Sequence, residues 1–305
     1  MLPVWERPDD RNPINPKPIT GPHIWKYEEI RPLIMQAGEL VTGEDAARRG
    51  FLLVNPERHA PYTTDTISSG FQALMANEKT IVHRHTAFSA TFVIEGAGFA
   101  TINGRRVPMK RGDVVLTPSW NWHIQDSVAK EPLIWLDMVD IPTLMHLPAG
   151  FVEFYKDQQS YPAEPVEAEN SPLVFPWANM KAKLDADQRD WVSVPYLRKS
   201  CREVSRTLGC SAERLSPGAT SPPVRETASA VYHVVEGAGY SVIDGQEVQW
   251  SRGDTFCIPA WHRYCHFASV GASVYLVRSD DKPMLNALGF YRNEHMDAEA
   301  LVEEW

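Results

Sequence analysis

Cysteine is scarce in this chain, at 4 of 305 residues. Cys201, Cys210, Cys257 and Cys265 all lie in the second half, and no two of them form a Cys-x-x-Cys pair. This spacing excludes a zinc knuckle and a thioredoxin-type motif. We interpret the cysteines as reduced thiols of a cytoplasmic protein.

Long apolar runs and an excess of positive charge are also missing. No segment offers the roughly 20 apolar residues that cross a bilayer. The start, MLPVWERPDD, lacks the basic stretch and apolar run of a signal peptide. Acidic residues exceed basic ones by 39 to 30, giving a net charge of −9. Because nucleic acids and anionic membranes favour basic surfaces, we expect neither a nucleic-acid nor a membrane partner.

What the chain does contain is an internal repeat. The first half carries Glu95-Gly96-Ala97-Gly98, and the second half carries the same four residues starting 141 positions later, at Glu236. The same offset relates further matched positions, which are Gly104 and Gly245, Gly112-Asp113 and Gly253-Asp254, Pro118 and Pro259, and Trp120 and Trp261. A constant offset of this length indicates a duplicated domain rather than a solenoid.

Each copy has the pattern of β structure. Short apolar runs flank Asn103-Gly104 in the first copy and Asp244-Gly245 in the second. Such dipeptides are strong hairpin signals, because a type I′ turn needs positive φ at both central residues. The fold class is therefore predicted to be all-β, with a barrel or sandwich in each half.

The connecting segments are predicted to be arms and a linker. Seven prolines lie in residues 1–32, which indicates an extended arm, and residues 28–49 and 176–190 have helical patterns. We divide the chain into five parts: an arm (1–50), a first barrel with a metal site (51–155), a linker (156–200), a second barrel without metal ligands (201–280) and a C-terminal helix (281–305).

Three histidines are the candidate metal ligands. In His83-Arg84-His85 the two imidazoles point to the same side of a strand, about 6.5–7 Å apart along the chain. His123 follows a Gly-Asp turn and Pro118, which would bring a later strand beside the first. His83 and His85 by themselves could equally be core or surface residues. With His123 they make a three-ligand face with open positions opposite.

The second copy serves as an internal control. Adding 141 to the three positions gives Val224, Glu226 and Tyr264. The turn glycines recur and the histidines do not, so the histidines are not needed to build the fold. We expect one metal site per chain, and no second site at the nearby His262 and His266.

The string HRHTAFSATFVIEGAGFATINGRRVPMKRGDVVLTPSWNWH, from His83 to His123, resembles the bicupin ring-cleaving dioxygenases that act on gentisate, salicylate and hydroxynaphthoate. VYHVVEGAGYSVIDG and IPAWHRY resemble the C-terminal cupin of that family, so the resemblance covers roughly residues 45–290. It implies two double-stranded β-helix (jelly-roll) barrels with helical arms. It also implies a mononuclear Fe(II) in the first barrel and O2-dependent cleavage of an aromatic ring beside a hydroxyl. Relatives of this kind are usually tetramers, so we expect a homo-oligomer, a tetramer or a dimer.

The ligand set has chemical consequences of its own. Where many cupins add a glutamate, this chain has Ser89 and Ala90. Three neutral imidazoles leave Fe(II) with its full double positive charge, which favours direct chelation by an aromatic substrate with room for O2. A cofactor-dependent hydroxylase more often uses two histidines and a carboxylate.

The resemblance also implies roles for other residues. Gln72 matches a glutamine of the substrate pocket, Asp137 matches an acid behind the ligands, and Arg48 or Arg49 could hold a carboxylate. Trp122, beside His123, is a further candidate for contact with the substrate.

Three positions depart from the family pattern. Thr91 stands where an arginine is usual, Gln125 where a histidine is usual, and Ser68 where an aromatic residue is usual. Loss of a bidentate arginine weakens binding of a ring carboxylate. We therefore predict a phenolic or hydroxylated heteroaromatic substrate whose acidic group is absent, or is held by Arg48 or Arg49.

Two alternatives remain open at this point. One is a cupin isomerase or hydrolase that uses Zn(II) or Ni(II) as a Lewis acid on the same histidines. The other is a non-enzymatic bicupin that only binds a metal.

Overall fold

The computed structural model describes residues 3–6, 13–41, 49–128, 130–158, 161–197 and 203–294. The strands before and within the first half are β1 (His23–Trp25), β2 (Gly50–Leu52), β3 (Ser68–Leu74), β4 (His83–His85), β5 (Ser89–Glu95), β6 (Ala97–Ile102), β7 (Arg105–Lys110), β8 (Val114–Thr117), β9 (His123–Asp126), β10 (Leu133–Val139), β11 (Val152–Phe154), β12 (Glu164–Pro165) and β13 (Val174–Phe175).

The remaining strands and the α-helices complete the described part of the chain. The strands are β14 (Trp191–Pro195), β15 (Gly209–Leu215), β16 (Ala230–Glu236), β17 (Ala238–Ile243), β18 (Gln246–Ser251), β19 (Thr255–Ile258), β20 (Tyr264–Ala268) and β21 (Val274–Asp280). The helices are α1 (Tyr27–Leu40), α2 (Ile141–His146), α3 (Trp177–Ala186) and α4 (Lys282–Ala287). None of these helices is long and apolar enough to span a bilayer.

The strands form two barrels, each made of two facing sheets. In the first barrel one sheet has the order β13-β8-β5-β10-β3-β2 and the other β11-β4-β9-β6-β7-β12. In the second barrel the orders are β1-β19-β16-β21-β15-β14 and β18-β17-β20. The all-β prediction with two jelly-roll barrels is confirmed.

The repeat holds element by element. β3, β5 and β10 of the first barrel correspond to β15, β16 and β21 of the second, each 141 residues later. Even the short helix α2 has its counterpart in α4 at the same offset. The hairpin turns have positive φ at both central residues, 47° and 77° at Asn103-Gly104, and 46° and 83° at Asp244-Gly245. This is the geometry that the two dipeptides predict.

The connecting segments take part in the barrels. β1, from the proline-rich arm, pairs with β19 of the second barrel. β12 and β13, from the predicted linker, pair with β7 and β8 of the first barrel. Composition indicated an interdomain linker there, and the structure adds that its residues pair with strands at the sheet edges and satisfy their backbone groups.

The two helical segments are shorter than predicted. α1 ends at Leu40 and residues 42–48 lie outside the described residues. The C-terminal helix α4 ends at Ala287, because Gly289 adopts a φ of +70° and Phe290 N donates to Leu285 O at 2.7 Å. That left-handed glycine closes the helix. Residues 295–305 lie outside the described residues.

The barrels share one apolar layer. Its buried side chains come from both halves and include Phe71, Phe92 and Leu136 of the first barrel and Val231 and Val277 of the second. Phe92 is 2% exposed, and its ring centroid lies 5.0 Å from that of His233. Through this layer the first barrel packs against the second.

Substitution of Phe92 tests this layer. We expect Phe92→Ala to lower the free energy of unfolding by about 3–5 kcal/mol, because it removes a buried ring and leaves a cavity between the barrels. Denaturant titration measures the change. Phe290→Ala, at a phenylalanine that is 62% exposed, is the matched control and should change stability by about 0.5 kcal/mol or less. Equal effects of the two variants would show that the layer does not stabilise the fold.

Candidate metal centre and active-site cavity

The three predicted histidines meet in the first barrel. β4 and β9 are antiparallel neighbours with His83 directly opposite His123. One nitrogen from each of His83, His85 and His123 can be chosen so that all three lie within 4.8 Å of one another. The ring centroids are 4.3 Å apart for His83 and His123 and 4.7 Å apart for His85 and His123.

The turn before β9 fixes the distance between the two strands. Trp120 has a φ of 62°, which is uncommon for a residue with a side chain. Its backbone N–H donates to His85 O at 2.7 Å. The loop that carries His123 is therefore hydrogen-bonded to the backbone of a second histidine.

Local hydrogen bonds orient each imidazole. The Nδ1 atoms of His83, His85 and His123 lie 2.7 Å from Ile81 O, 2.8 Å from Ala87 O and 2.9 Å from Asn121 O. A carbonyl oxygen only accepts, so Nδ1 of each ring carries the hydrogen. Each Nε2 then has its lone pair free for a metal, as in the metal-bound histidines of other proteins.

Burial keeps the three rings neutral. It lowers the pKa of His83 and His85, and it lowers that of His123 to about 3, with the neighbouring histidines adding to the effect. Neutral imidazoles are the form that binds transition metals. Three such nitrogens on one face fit a divalent ion and leave its other positions open.

The histidines open onto a cavity of about 720 Å³. It lies between the two sheets of the first barrel, and most of its wall is apolar. Aromatic and aliphatic side chains such as Phe51, Val139, Leu144 and Phe151 line it. This size and character suit a small aromatic molecule.

A polar cluster forms the wall opposite the histidines. Asp137 on β10 accepts hydrogen bonds from Gln72 Nε2 at 3.1 Å and from Thr91 Oγ1. Ser89 Oγ, at 3.3 Å, and Trp135 Nε1, at 2.9 Å, donate to the same carboxylate. Burial raises the pKa of Asp137, and the bonds from Thr91, Trp135 and Ser89 act in the opposite direction.

Sequence reasoning singled out Gln72, Thr91 and Asp137 and missed two members of this cluster. Ser89 lies two residues before Thr91 on β5, so strand alternation could have placed both on the cavity side. Trp135 lies two residues before Asp137 on β10, and the same rule applies. No feature of the sequence indicated that Ser89 and Trp135 both donate hydrogen bonds to the Asp137 carboxylate.

Gln125 lies beside the histidines. It follows His123 by two residues on β9 and lines the cavity. Its Oε1 accepts from Thr80 Oγ1 at 3.2 Å, and its backbone N–H donates to the same hydroxyl at 3.0 Å. The side-chain amide therefore keeps its NH2 group as a donor.

The remaining predicted residues divide into two groups. Ser68 lines the cavity, whereas Trp122 and Arg49 are not among its lining residues. Arg49 is buried and forms an ion pair with Glu78, whose carboxylate also accepts from Met75 N. Arg48 lies outside the described residues.

Trp122 packs on the outer side of the histidine strand. Its ring is 4.5 Å from the Arg84 guanidinium carbon and makes an edge contact with Tyr155, with the two ring centroids 5.1 Å apart. In this position the Trp122 ring does not line the cavity, and its contact with a substrate stays a prediction. Arg84 is the single residue between the two histidines of β4, and its side chain points to the opposite side of the strand.

In the second barrel the corresponding space is filled by protein. Glu226, the counterpart of His85, pairs with Arg278, the counterpart of Asp137. Tyr291 donates to Glu226 at 2.7 Å, and the hydroxyls of Tyr232 and Tyr264 are 3.0 Å apart. Within the described residues, the three histidines of the first barrel are the one cluster suited to a metal.

Comparison with known proteins agrees with this architecture. Residues 70–139 and 212–277 each match the family model of the cupin domain. A gentisate 1,2-dioxygenase from Streptomyces sp is 32% identical over 329 aligned residues, covering 96% of this chain and 91% of the relative. A 5-aminosalicylate 1,2-dioxygenase from Comamonas sp is 30% identical, covering 96% of this chain and 87% of the relative.

A solved structure is similar over nearly the same range. The salicylate 1,2-dioxygenase from Pseudaminobacter salicylatoxidans superposes with a TM-score of 0.88 at 28% identity, covering 96% of this chain and 94% of that one. The duplicated barrels, the histidine-lined cavity and these similarities lead to one assignment: the chain belongs to the bicupin ring-cleaving dioxygenase family.

Proposed function

We propose that His83, His85 and His123 bind one Fe(II) and that the chain cleaves a hydroxylated aromatic ring with O2 at this site. The observation that carries the proposal is the set of three neutral imidazoles whose Nε2 atoms are free beside a cavity of aromatic size. When bound, Fe(II) supplies the redox chemistry that allows O2 to react with an aromatic ring.

The cavity walls would hold the ring and exclude water. Phe51, Val139 and Leu144 offer apolar contacts to its faces, and such contacts position a flat substrate without fixing its substituents. The NH2 group of Gln125, beside His123, would donate to an oxygen of the bound substrate. Relatives named for gentisate and 5-aminosalicylate support a small hydroxylated aromatic as the substrate class.

Arg84 would position the metal ligands from behind. Its guanidinium carbon lies 4.4 Å from the ring centroid of Trp120 and 4.5 Å from that of Trp122. It also pairs with Glu153 of β11 at 2.6 Å. Because Arg84 is the residue between His83 and His85, holding its side chain holds the strand that carries two of the three ligands.

We also propose a homo-oligomer, a tetramer or a dimer, in the cytoplasm. Large apolar side chains near the cavity are exposed, among them Met145, Phe151 and Phe154 at 50%, 60% and 61%. Such a cluster is typical of a surface that a partner covers. Cys210, Cys257 and Cys265 are free thiols, which is consistent with a reducing compartment.

Removal of each ligand tests the metal centre. We expect His83→Ala, His85→Ala and His123→Ala to reduce bound iron from about one per chain to background and to abolish turnover, since three nitrogens form the whole donor set. Metal analysis and oxygen consumption measure the two effects. His262→Ala, at a histidine paired with Asp244 in the second barrel, is the control and should retain both. Full iron content in any of the three ligand variants contradicts the proposed site.

Arg84 is tested through metal affinity. We expect Arg84→Ala to weaken Fe(II) binding by about 10-fold or more, as loss of a residue that orients ligands does in other metal sites. Arg84→Lys keeps the charge at Glu153 but loses planar stacking on the tryptophans, so it should be intermediate. Anaerobic competition with a chelator measures the affinity. A purely structural role predicts a lower unfolding temperature with unchanged metal affinity in both variants.

The reaction itself is tested by oxygen uptake. After anaerobic loading with iron, the protein should consume about one O2 per ring cleaved when offered a suitable dihydroxy- or aminohydroxy-aromatic. The compounds to be tested are gentisate, hydroquinone and 1-hydroxy-2-naphthoate. An oxygen electrode measures O2 consumption with each compound, and mass spectrometry identifies the product. Turnover without O2, or with Zn(II) in place of iron, would instead indicate a Lewis-acid isomerase or hydrolase.

A further inference from the structure

One peptide group links His85 to a buried carboxylate outside the cavity. The carbonyl oxygen of Ala87 accepts from His85 Nδ1 at 2.8 Å. The N–H of the same peptide, which belongs to Phe88, donates to Asp140 Oδ1 at 2.9 Å. Because a peptide group is planar, its C=O and N–H cannot turn independently of each other. Asp140 therefore fixes the direction of the oxygen that orients His85.

Asp140 lies where the pairing of two strands ends. β5 and β10 pair as far as Ser89 opposite Val139, so Phe88 and Asp140 form the next pair along them. The chain turns there into α2, and the Asp140 carboxylate extends the ladder by one hydrogen bond to the Phe88 N–H. Asp140 is 3% exposed, so this bond lies in the interior, where an unpaired N–H is costly.

The second half of the chain holds Asp140 in turn. The hydroxyl of Thr207, in the loop before β15, hydrogen-bonds to the Asp140 carboxylate. Ser205 Oγ lies 3.1 Å from Thr207 Oγ1 and accepts from the Thr207 backbone N–H at 3.0 Å, so the threonine is itself held by its loop. A series of contacts thus runs from the half without metal ligands, through Asp140 and one peptide, to His85.

The second barrel repeats this carboxylate. Asp281 lies 141 residues after Asp140. Its Oδ1 accepts from the backbone N–H of Ser229 at 2.8 Å, and its Oδ2 accepts from Thr66 Oγ1 at 2.6 Å. Thr66 belongs to the first half and lies 141 residues before Thr207. Each half therefore supplies the threonine that hydrogen-bonds to the carboxylate of the other half.

The two copies differ at the position of the histidine. The peptide that donates to Asp281 has the carbonyl of Ala228, and the residue in the place of His85 is Glu226. Glu226 pairs with Arg278. The carboxylate is thus part of the scaffold in both barrels, and the second copy provides a control for a separate effect on the metal ligand.

We propose that Asp140 is a positioning residue that keeps Nε2 of His85 directed at the metal. It acts through the peptide between Ala87 and Phe88, and Thr207 holds it in place from the second half. The second half of the chain thereby contributes to metal binding without supplying a ligand. This inference rests on the proposed function, because it requires that the metal binds at His85.

Matched alanine variants separate this role from general stability. We expect Asp140→Ala to weaken Fe(II) binding by about 10-fold or more, as loss of a group that orients a ligand does in other metal sites. Asp281→Ala removes the same kind of contacts in the second barrel, so it should lower the unfolding temperature without changing the affinity. Asp140→Asn keeps an oxygen for the Phe88 N–H and should recover most of the affinity. Anaerobic competition with a chelator gives the affinities, and thermal unfolding shows that each variant is folded.

A second measurement needs no metal. Hydrogen–deuterium exchange of the metal-free protein, followed by mass spectrometry, reports on the N–H groups that the two carboxylates hold. Peptides that contain Phe88 should exchange faster in Asp140→Ala than in the wild type. Peptides that contain Ser229 should exchange faster in Asp281→Ala. Unchanged exchange at Phe88 in Asp140→Ala contradicts the hold of the carboxylate on this peptide.

The contribution of the second half is tested at Thr207. Thr207→Val keeps the shape of the side chain and removes its hydroxyl, so it should weaken Fe(II) binding by about 2- to 10-fold, the range of one net hydrogen bond. Thr207→Ser keeps the hydroxyl and should restore the wild-type affinity.

The outcomes separate this inference from the proposed function. Fe(II) binding by the wild type, with unchanged affinity in folded Asp140→Ala, overturns the inference and leaves the metal site intact. Equal weakening in Asp140→Ala and Asp281→Ala also overturns it, because the loss then comes from the packing of the barrels. Unchanged affinity in Thr207→Val overturns it as well, and this variant decides the point where Asp140→Ala fails to fold. A wild-type protein that binds no Fe(II) overturns both.

Discussion

The hydrogen bonds from the Nδ1 atoms of His83, His85 and His123 to nearby backbone carbonyls are the constraint on which the rest of the site depends. Each acceptor lies within two residues of its histidine in the chain, so the contacts form with the local backbone rather than with a distant element. They leave the Nε2 atom of each ring available for a metal, and one nitrogen of each ring lies within 4.8 Å of the others. Without them, burial alone would keep the rings neutral but would leave open which nitrogen faces the cavity.

The duplicated fold uses the same backbone for two purposes. In the first barrel the inward positions carry histidines and a carboxylate that face each other across open space. In the second barrel the counterparts include Glu226 and Arg278, which meet and neutralise each other. A buried ion pair with hydrogen-bonding tyrosines fills the space that the first barrel keeps open. The second barrel also shields the rear of the first through the shared apolar layer around Phe92.

The polar residues of the cavity act as a connected set. Asp137 accepts the hydroxyl hydrogens of Thr91 and Ser89 and one of the two amide hydrogens of Gln72, while the side-chain oxygen of Gln125 accepts from Thr80. Hydrogen bonds behind the cavity surface thus decide whether a given side chain meets the substrate as a donor or an acceptor.

The sequence by itself determined the repeat, the hairpin turns and the three histidines, because these depend on local rules: positive φ at Asn103-Gly104, alternation along a strand, and a constant offset of 141. The resemblance to a known family also drew attention to Gln72, Thr91, Gln125 and Asp137, and all four line the cavity. Tertiary structure alone decided that Arg49 pairs with Glu78 and that Trp122 stacks on Arg84 outside the cavity. It also decided that the predicted linker supplies strands to the first barrel. These features depend on which distant groups need a charge partner, a hydrogen bond or a covering side chain once the sheets have closed, and no local pattern carries that information.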